Sequence, residues 1–214
     1  MGNSNYIPPI EYELIKKEEK DGYKVSSFQP FGEPNIGGNI TIPGYHENLP
    51  VLEIDQFAFF ENNLDSITIE ETDHSINILS DAFNSCTVDS INLSNSVTFN
   101  DSSVDMQKFE IDNGKSINVF TNSDIRSITL PSNMTMINQD MFSQCSSLSQ
   151  IKVAQTSQTN ILPSGISRIS TQAFSDCLSL PSLLLPEGLT EIGENVFAQW
   201  DETQIVTFSE RRFR

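Results

Sequence analysis

Ile169-Ser170-Thr171-Gln172-Ala173-Phe174, followed by the short apolar alternation Leu183-Leu184-Leu185, is the stretch that decides the fold. Its skeleton, Ile, three residues, a small or medium apolar residue and then Phe, recurs as Ile54-Ala58-Phe59, Ile78-Ala82-Phe83, Ile137-Met141-Phe142 and Ile192-Val196-Phe197. Spacing held this strictly across unrelated neighbours means one supersecondary unit copied along an axis, each copy burying its apolar side chains against the next. The chain therefore reads as a solenoid.

Eight or nine residues after each Phe comes a period-two segment: Ile67-Thr68-Ile69, Ile91-Asn92-Leu93, Ile151-Lys152-Val153, Leu183-Leu184-Leu185 and Val206-Thr207-Phe208. Such alternation is that of a strand with one buried face. Ile40-Thr41-Ile42 and Ile128-Thr129-Leu130 supply two more. Each unit is strand, turn, Ile, then a tight turn carrying Ala-Phe. Phe59 to Phe83 is 24 residues and Phe174 to Phe197 is 23, but Phe83 to Phe142 is 59, so the long gap should hold one additional, irregular unit. Lys108-Phe109-Glu110-Ile111 is its expected strand and Ile117, Val119 and Phe120 its degenerate anchors, with irregularity around 95–124.

Phrases such as Ile128-Thr129-Leu130-Pro131 and Ile137 through Met141-Phe142 to Cys145-Ser146-Ser147-Leu148 resemble the BspA-like leucine-rich repeats of bacterial and protist surface antigens, as does Leu185-Pro186-Glu187-Gly188-Leu189. The resemblance implies an α/β repeat solenoid, a right-handed superhelix of short strands and tight helical turns, used in adhesion and in protein or matrix binding. It also implies an extracellular or cell-surface location. The solenoid of about seven coils is assigned to 40–214. Residues 1–39 are expected to cap it with a β-hairpin, Tyr12-Glu13-Leu14-Ile15 against Tyr23-Lys24-Val25, hiding an otherwise open sheet edge.

Composition excludes several classes. A formal charge of −17 and a pI near 4.2 are wrong for a nucleic-acid binder, which needs clustered Lys and Arg. No apolar run approaches the roughly 20 residues of a membrane span, and Met1 to Tyr6 has neither the basic nor the apolar region of a signal peptide, so neither membrane insertion nor a signal peptide is expected. Catalytic templates for nucleotide, zinc-protease and serine-hydrolase chemistry are absent, so no enzyme activity and no cofactor are assigned. The acidic residues Asp101, Asp105, Glu110 and Asp112 do not follow a calcium-loop pattern and read as a solvated loop. Cys86, Cys145 and Cys177 each lie three residues after a motif Phe, a register that makes them buried, reduced core thiols in a column. Asn62 and Trp200 fill the same slot.

Repeat length varies at one corner. From the second buried strand residue to the motif Ile is 12 residues for Ile42 to Ile54 and 16 for Val153 to Ile169, but 7 for Leu130 to Ile137 and for Leu185 to Ile192. Insertions thus collect in the loops leaving the strands, Pro43 to Pro50, Glu70 to Ser75 and Ala154 to Ser164, and such rims carry binding function. The exposed strand column, Thr41, Thr68, Asn92, Glu110, Thr129, Lys152, Leu184 and Thr207, is small and polar except at Leu184. Binding candidates are therefore Tyr45, His46, His74, Lys152 and Leu184. The two histidines have carboxylates nearby in sequence, but loop histidines of an acidic chain need no metal, and none is assigned. The expected partner is a protein or extracellular-matrix ligand. A structural spacer, a fragment of a longer array and an intracellular interaction or inhibitor protein remain as alternatives. Past Phe208, either the charged residues guard the last strand or another chain pairs there in end-to-end self-association.

Overall fold

The computed structural model describes residues 10–17, 21–28, 38–99 and 118–209. The chain enters through β1 (Glu11–Ile15) and β2 (Gly22–Ser27) and continues through β3 (Asn39–Ile42), β4 (Tyr45–His46) and β5 (Leu49–Ile54). Successive coils then supply β6 (Asn63–Ile69) with β7 (Ile76–Ile78), β8 (Thr87–Asn92) with β9 (Val97–Thr98), and β10 (Asp124–Leu130) with β11 (Met136–Ile137). The last coils hold β12 (Gln150–Val153) with β13 (Arg168–Ile169), β14 (Ser182–Leu185) with β15 (Glu191–Ile192), and finally β16 (Ile205–Phe208).

The alternating segments form one parallel sheet in the order β12-β10-β8-β6-β3, with Ile40, Ile67, Ile91, Ile128 and Ile151 in one buried row. Ile54 and Ile78 lie side by side in a second column, β5 to β7, which β9 continues without an isoleucine, and Ile137, Ile169 and Ile192 lie in a third sheet, β11 to β13 to β15. β2 joins the second column: it pairs antiparallel with β1 but parallel with β5, placing Val25 beside Ile54. Lys24 ties this edge down through Asp55 at 2.7 Å and Glu13 at 3.1 Å. Among the described residues β9 and β11 are not paired, and a cavity of about 150 Å³ lies against Phe99 and Met134.

A stack of seven phenylalanines runs through the third side. Phe28, Phe59, Phe83, Phe120, Phe142, Phe174 and Phe197 lie ring on ring, with centroids 5.0 to 6.2 Å apart and planes within 24°. The five from Phe59 to Phe174 are fully buried. Transfer of each such ring from water contributes about 2 to 3 kcal/mol, and the offset stack adds to it.

Two expectations need correction. The described residues contain no helix, so the α/β class and the tight helical turns are replaced by an all-strand-and-turn solenoid. The cause lies two residues either side of the motif Phe. Phe57 and Glu61, Asp81 and Ser85, Asp140 and Gln144, Gln172 and Asp176, and Asn195 and Gln199 all take left-handed φ between 53° and 65°, which a right-handed helix cannot accommodate. Successive N–H groups consequently alternate in direction. Met141 and Ser143 donate back within their own turn, to Asn138 and Asp140, whereas Asp140, Phe142 and Gln144 donate to Thr171, Ala173 and Ser175 of the next coil. The Phe corner is a ladder between coils, not a helical turn.

The second correction concerns the long gap. β8 pairs directly with β10, Ile91 beside Ile128, so no strand stands between them in this sheet. The irregular unit is one coil, with Val119 in the Ala position and Phe120 in the ring stack. Lys108 to Ile111, Ile117 and the acidic loop lie outside the described residues.

Candidate functional site

The rim loops are built from hydrogen bonds between neighbouring coils. In the first, β4 folds back on β5 in an antiparallel hairpin whose two loop residues, Glu47 and Asn48, have φ of 47° and 67°. Two positive φ values are the signature of the primed turn that matches strand twist. The hairpin lifts Tyr45 and His46 onto the rim. His46 is stacked on Tyr12 at 3.9 Å and meets the edge of Tyr23 at 4.8 Å. Tyr23 donates its hydroxyl to Glu47 at 2.8 Å.

Tyr45 reaches the second rim loop. Its hydroxyl donates to Asp73 at 2.6 Å, and its ring meets His74 edge-on at 5.0 Å. His74 places Nδ1 3.0 Å from Asp73 and Nε2 3.0 Å from the Val51 carbonyl, so both ring nitrogens are occupied by this scaffold. The Tyr45 hydrogen bond, then that of His74, holds the Asp73 carboxyl below its ordinary range, and the same bond raises the Tyr45 hydroxyl. Glu71 accepts the Asn95 N–H at 3.0 Å and the Ser96 hydroxyl at 3.1 Å, which locks this loop to the turn between β8 and β9 of the next coil. His46 and His74 face different partners, and among the described residues no group of three His, Cys, Asp or Glu side chains is placed to hold a metal. This end of the rim offers tyrosine rings and anchored carboxylates.

Lys152 and Leu184 stand coils away, because β3 and β12 are separated by four strand spacings, about 19 Å. The loop from Ala154 to Ser164 does not hang free there. Thr159 bridges Lys152 in the antiparallel sense and Ile161 bridges Leu184 in the parallel sense, so the loop wedges between β12 and β14 and divides the sheet. Asn160 makes the reversal, with φ 56°. Its N–H donates to the Ile151 carbonyl at 2.6 Å, its Oδ1 accepts the Ile151 N–H at 3.1 Å, and its carbonyl accepts the Leu184 N–H at 2.8 Å. Beside this wedge opens a notch of about 600 Å³. Val153, Ile161, Leu184 and Pro186 line its apolar part, and Thr156, Gln158, Ser164 and Glu187 its polar part.

The candidate residues thus form two groups. Tyr45 and His74 touch each other and His46 lies beside them on the same hairpin, whereas Lys152 and Leu184 belong to the notch region. Tyr12 and Tyr23, which complete the first group, were not legible as rim residues because their hairpin reaches it through tertiary contact. Asn160 lies in the expected rim loop but was not singled out, and Pro186 was missed in the notch. Asn tolerates left-handed backbone, and that is the one local hint the sequence holds.

A family model described as the BspA type leucine rich repeat region matches residues 39–119, 103–161 and 155–213, in six copies. Among solved structures, the pneumococcal vaccine antigen PcpA is similar at 19% identity and a TM-score of 0.60, covering 98% of this chain and 50% of its own. A leucine rich cell surface protein from Faecalibacterium prausnitzii A2-165 is similar at 19% identity and a TM-score of 0.52, covering 99% of this chain and 56% of its own. The chain spans about half the length of these structures. No curated protein matches it significantly.

Proposed function

The chain belongs to the BspA-type leucine-rich-repeat family, and from that premise we propose that it is a non-catalytic protein-interaction module of a bacterial cell surface, binding through its rim. Residues 1–39 act as the cap and 40–214 as the binding solenoid. The observation that carries this reading is the notch of about 600 Å³ between the wedged loop and the Pro186 turn. It offers a partner side chain an apolar floor ringed by hydrogen-bonding groups, as interface cores do. Tyr45, with Asp73 and Glu47 beside it, supplies a second contact. Its charge favours a basic or neutral protein surface and an association rate that falls as salt rises. Adhesion to a host or matrix protein is the role that fits.

The test is quantitative binding to a panel of immobilised matrix and host-surface proteins. Wild type is compared with Leu184→Asp, with Tyr45→Ala, and with the convex-side variant Gln144→Lys/Gln199→Lys. Loss of a partner with the rim variants and its retention with the convex variant is the expected result. Equal binding by the rim variants, with loss only on the convex side, would place the contact face elsewhere.

A further inference from the structure

Three of the chain's four tyrosines and both of its histidines gather at one corner of the rim, carried there by β1, β2, β4 and the loop after β6. Packing accounts for part of this. Tyr12 and Tyr23 lean on the hydrophobic core and hold His46 by ring contacts. Tyr45 has no such duty, since it is 46% exposed and lies outside the core.

Tyr45 is nevertheless fixed. Its hydroxyl donates to Asp73 at 2.6 Å, and the edge-on contact with His74, at 77° between planes, covers at most one face of the ring. The other face is left to solvent, and the ring cannot swing aside without breaking the hydrogen bond. Beyond the hydroxyl, the Asp73 side chain is 77% exposed. Its Oδ1 takes the contacts from both Tyr45 and His74, so the carboxylate keeps acceptor capacity turned outward. The same pairing recurs on the other side of β4, where Tyr23 donates to Glu47 at 2.8 Å. Among the described residues, none of Glu47, Glu70 and Asp73 is ion-paired with a lysine or arginine.

An open aromatic face beside an exposed carboxylate selects a flat cation. The ring attracts positive charge through its quadrupole, and the carboxylate accepts charge-assisted hydrogen bonds. A guanidinium can do both at once, because it is planar, weakly hydrated and forked, whereas an ammonium is a strongly hydrated point charge. A neutral sugar would gain the stacking and leave the charge unused. We propose that Tyr45 and Asp73 form a clamp for an arginine side chain of a protein partner, the guanidinium lying on the open Tyr45 face and donating to Asp73. This rests on the rim reading above and names what its second contact recognises. Because ring and carboxylate are already held in place, little ordering cost attends binding.

The test is calorimetric titration with N-acetyl tri-arginine amide, with NMR of the tyrosine rings to locate the site. Saturable binding that shifts the Tyr45 ring signals is expected. Tyr45→Ala and Asp73→Asn should each weaken it by about tenfold, and Tyr45→Phe, which keeps the ring and frees Asp73, should fall between. Asp65→Asn removes the same charge from the sheet face and should leave binding unchanged. Tri-lysine should bind at least about threefold more weakly, and tri-citrulline, which has the shape without the charge, should not bind. Equal binding of tri-lysine, binding of tri-citrulline, indifference to Tyr45→Ala, or a loss with Asp65→Asn as large as with Asp73→Asn would each overturn the clamp. The two readings fail separately. If tri-arginine does not bind but a panel protein is still lost with Tyr45→Ala and Leu184→Asp, the clamp alone is wrong. If tri-arginine binds at Tyr45 while the panel proteins ignore both rim variants, the rim reading is wrong and the clamp stands.

Discussion

The thiol of Cys177 donates to the carbonyl oxygen of Phe142, one coil back, at 3.2 Å. Cys145 does the same to Phe120 at 3.0 Å, and the indole N–H of Trp200 to Phe174 at 2.9 Å. Ser123 donates in the same way to Phe83. Four residues that lie three after a stacked Phe, Ser123, Cys145, Cys177 and Trp200, thus act as hydrogen-bond donors to the coil before as well as filling the column. Each receiving carbonyl also accepts a backbone N–H from its own turn.

Replacing Cys145 separates these two roles. Valine keeps the apolar volume and removes the donor, whereas serine keeps the donor and is already the native residue at position 123. The hydrogen bond contributes about 1 kcal/mol. Urea denaturation should therefore find Cys145→Ser less destabilising than Cys145→Val. The reverse order would mean that the column is only apolar packing.

The ring stack should be most sensitive at its middle. Phe120→Ala leaves a hole between Phe83 and Phe142 and is expected to cost about 3 to 5 kcal/mol. Phe197→Ala, at the partly exposed end, should cost clearly less. Similar costs at both positions, measured by chemical denaturation, would contradict the burial gradient.

Burial of the thiols makes stability fall in alkali. It pushes Cys86 from the ordinary 9.0 up to about 12, and Cys145 and Cys177 upward as well. Below pH 9 both folded and unfolded chains keep the proton and the contribution is fully present. As pH rises from 9 toward 12, only the unfolded chain ionises, and each thiol lowers stability by about 1.4 kcal/mol per pH unit. A triple Cys→Ser variant, which shares every tyrosine with wild type, should show a shallower loss over that window. Parallel pH profiles would show that these thiols are not held neutral.

Asn160 should resist replacement by anything but glycine. Alanine there must adopt left-handed backbone, costing about 1 kcal/mol, and gives up the bond to the Ile151 N–H, about 1 more. Asn160→Gly loses only the second. Thermal melts should rank wild type above Gly above Ala. An Ala variant as stable as wild type would mean that the wedge is not held by this residue.

The repeat, its buried Ile and Phe columns and the place of Phe120 were legible because periodic burial writes itself into spacing. The turn geometry was not. Asp81, Asn195 and Asp176 are residues that tolerate left-handed backbone, but Phe57 and Gln172 are not obvious ones, and the coil-to-coil ladder imposes their conformation. The first rim hairpin was hidden for the same reason, since Glu47-Asn48 lacks the glycine that usually announces such a turn. Leu184 stood out as an apolar interruption, but its covering by Ile161 depends on a loop folding back between two strands, which no local pattern records.

The alternating ladder at the Phe corner also fixes how the molecule bears load. Its bonds between coils, like those of the sheets, run along the solenoid axis, while bonds within a coil are single turns. Tension applied between the two ends is therefore carried by one inter-coil interface after another, with no long element to share it. Such a chain lengthens by shedding whole coils, each releasing 24 residues in the Phe59 to Phe83 spacing, or about 80 Å of contour. A tether built this way yields stepwise and absorbs work without parting at once.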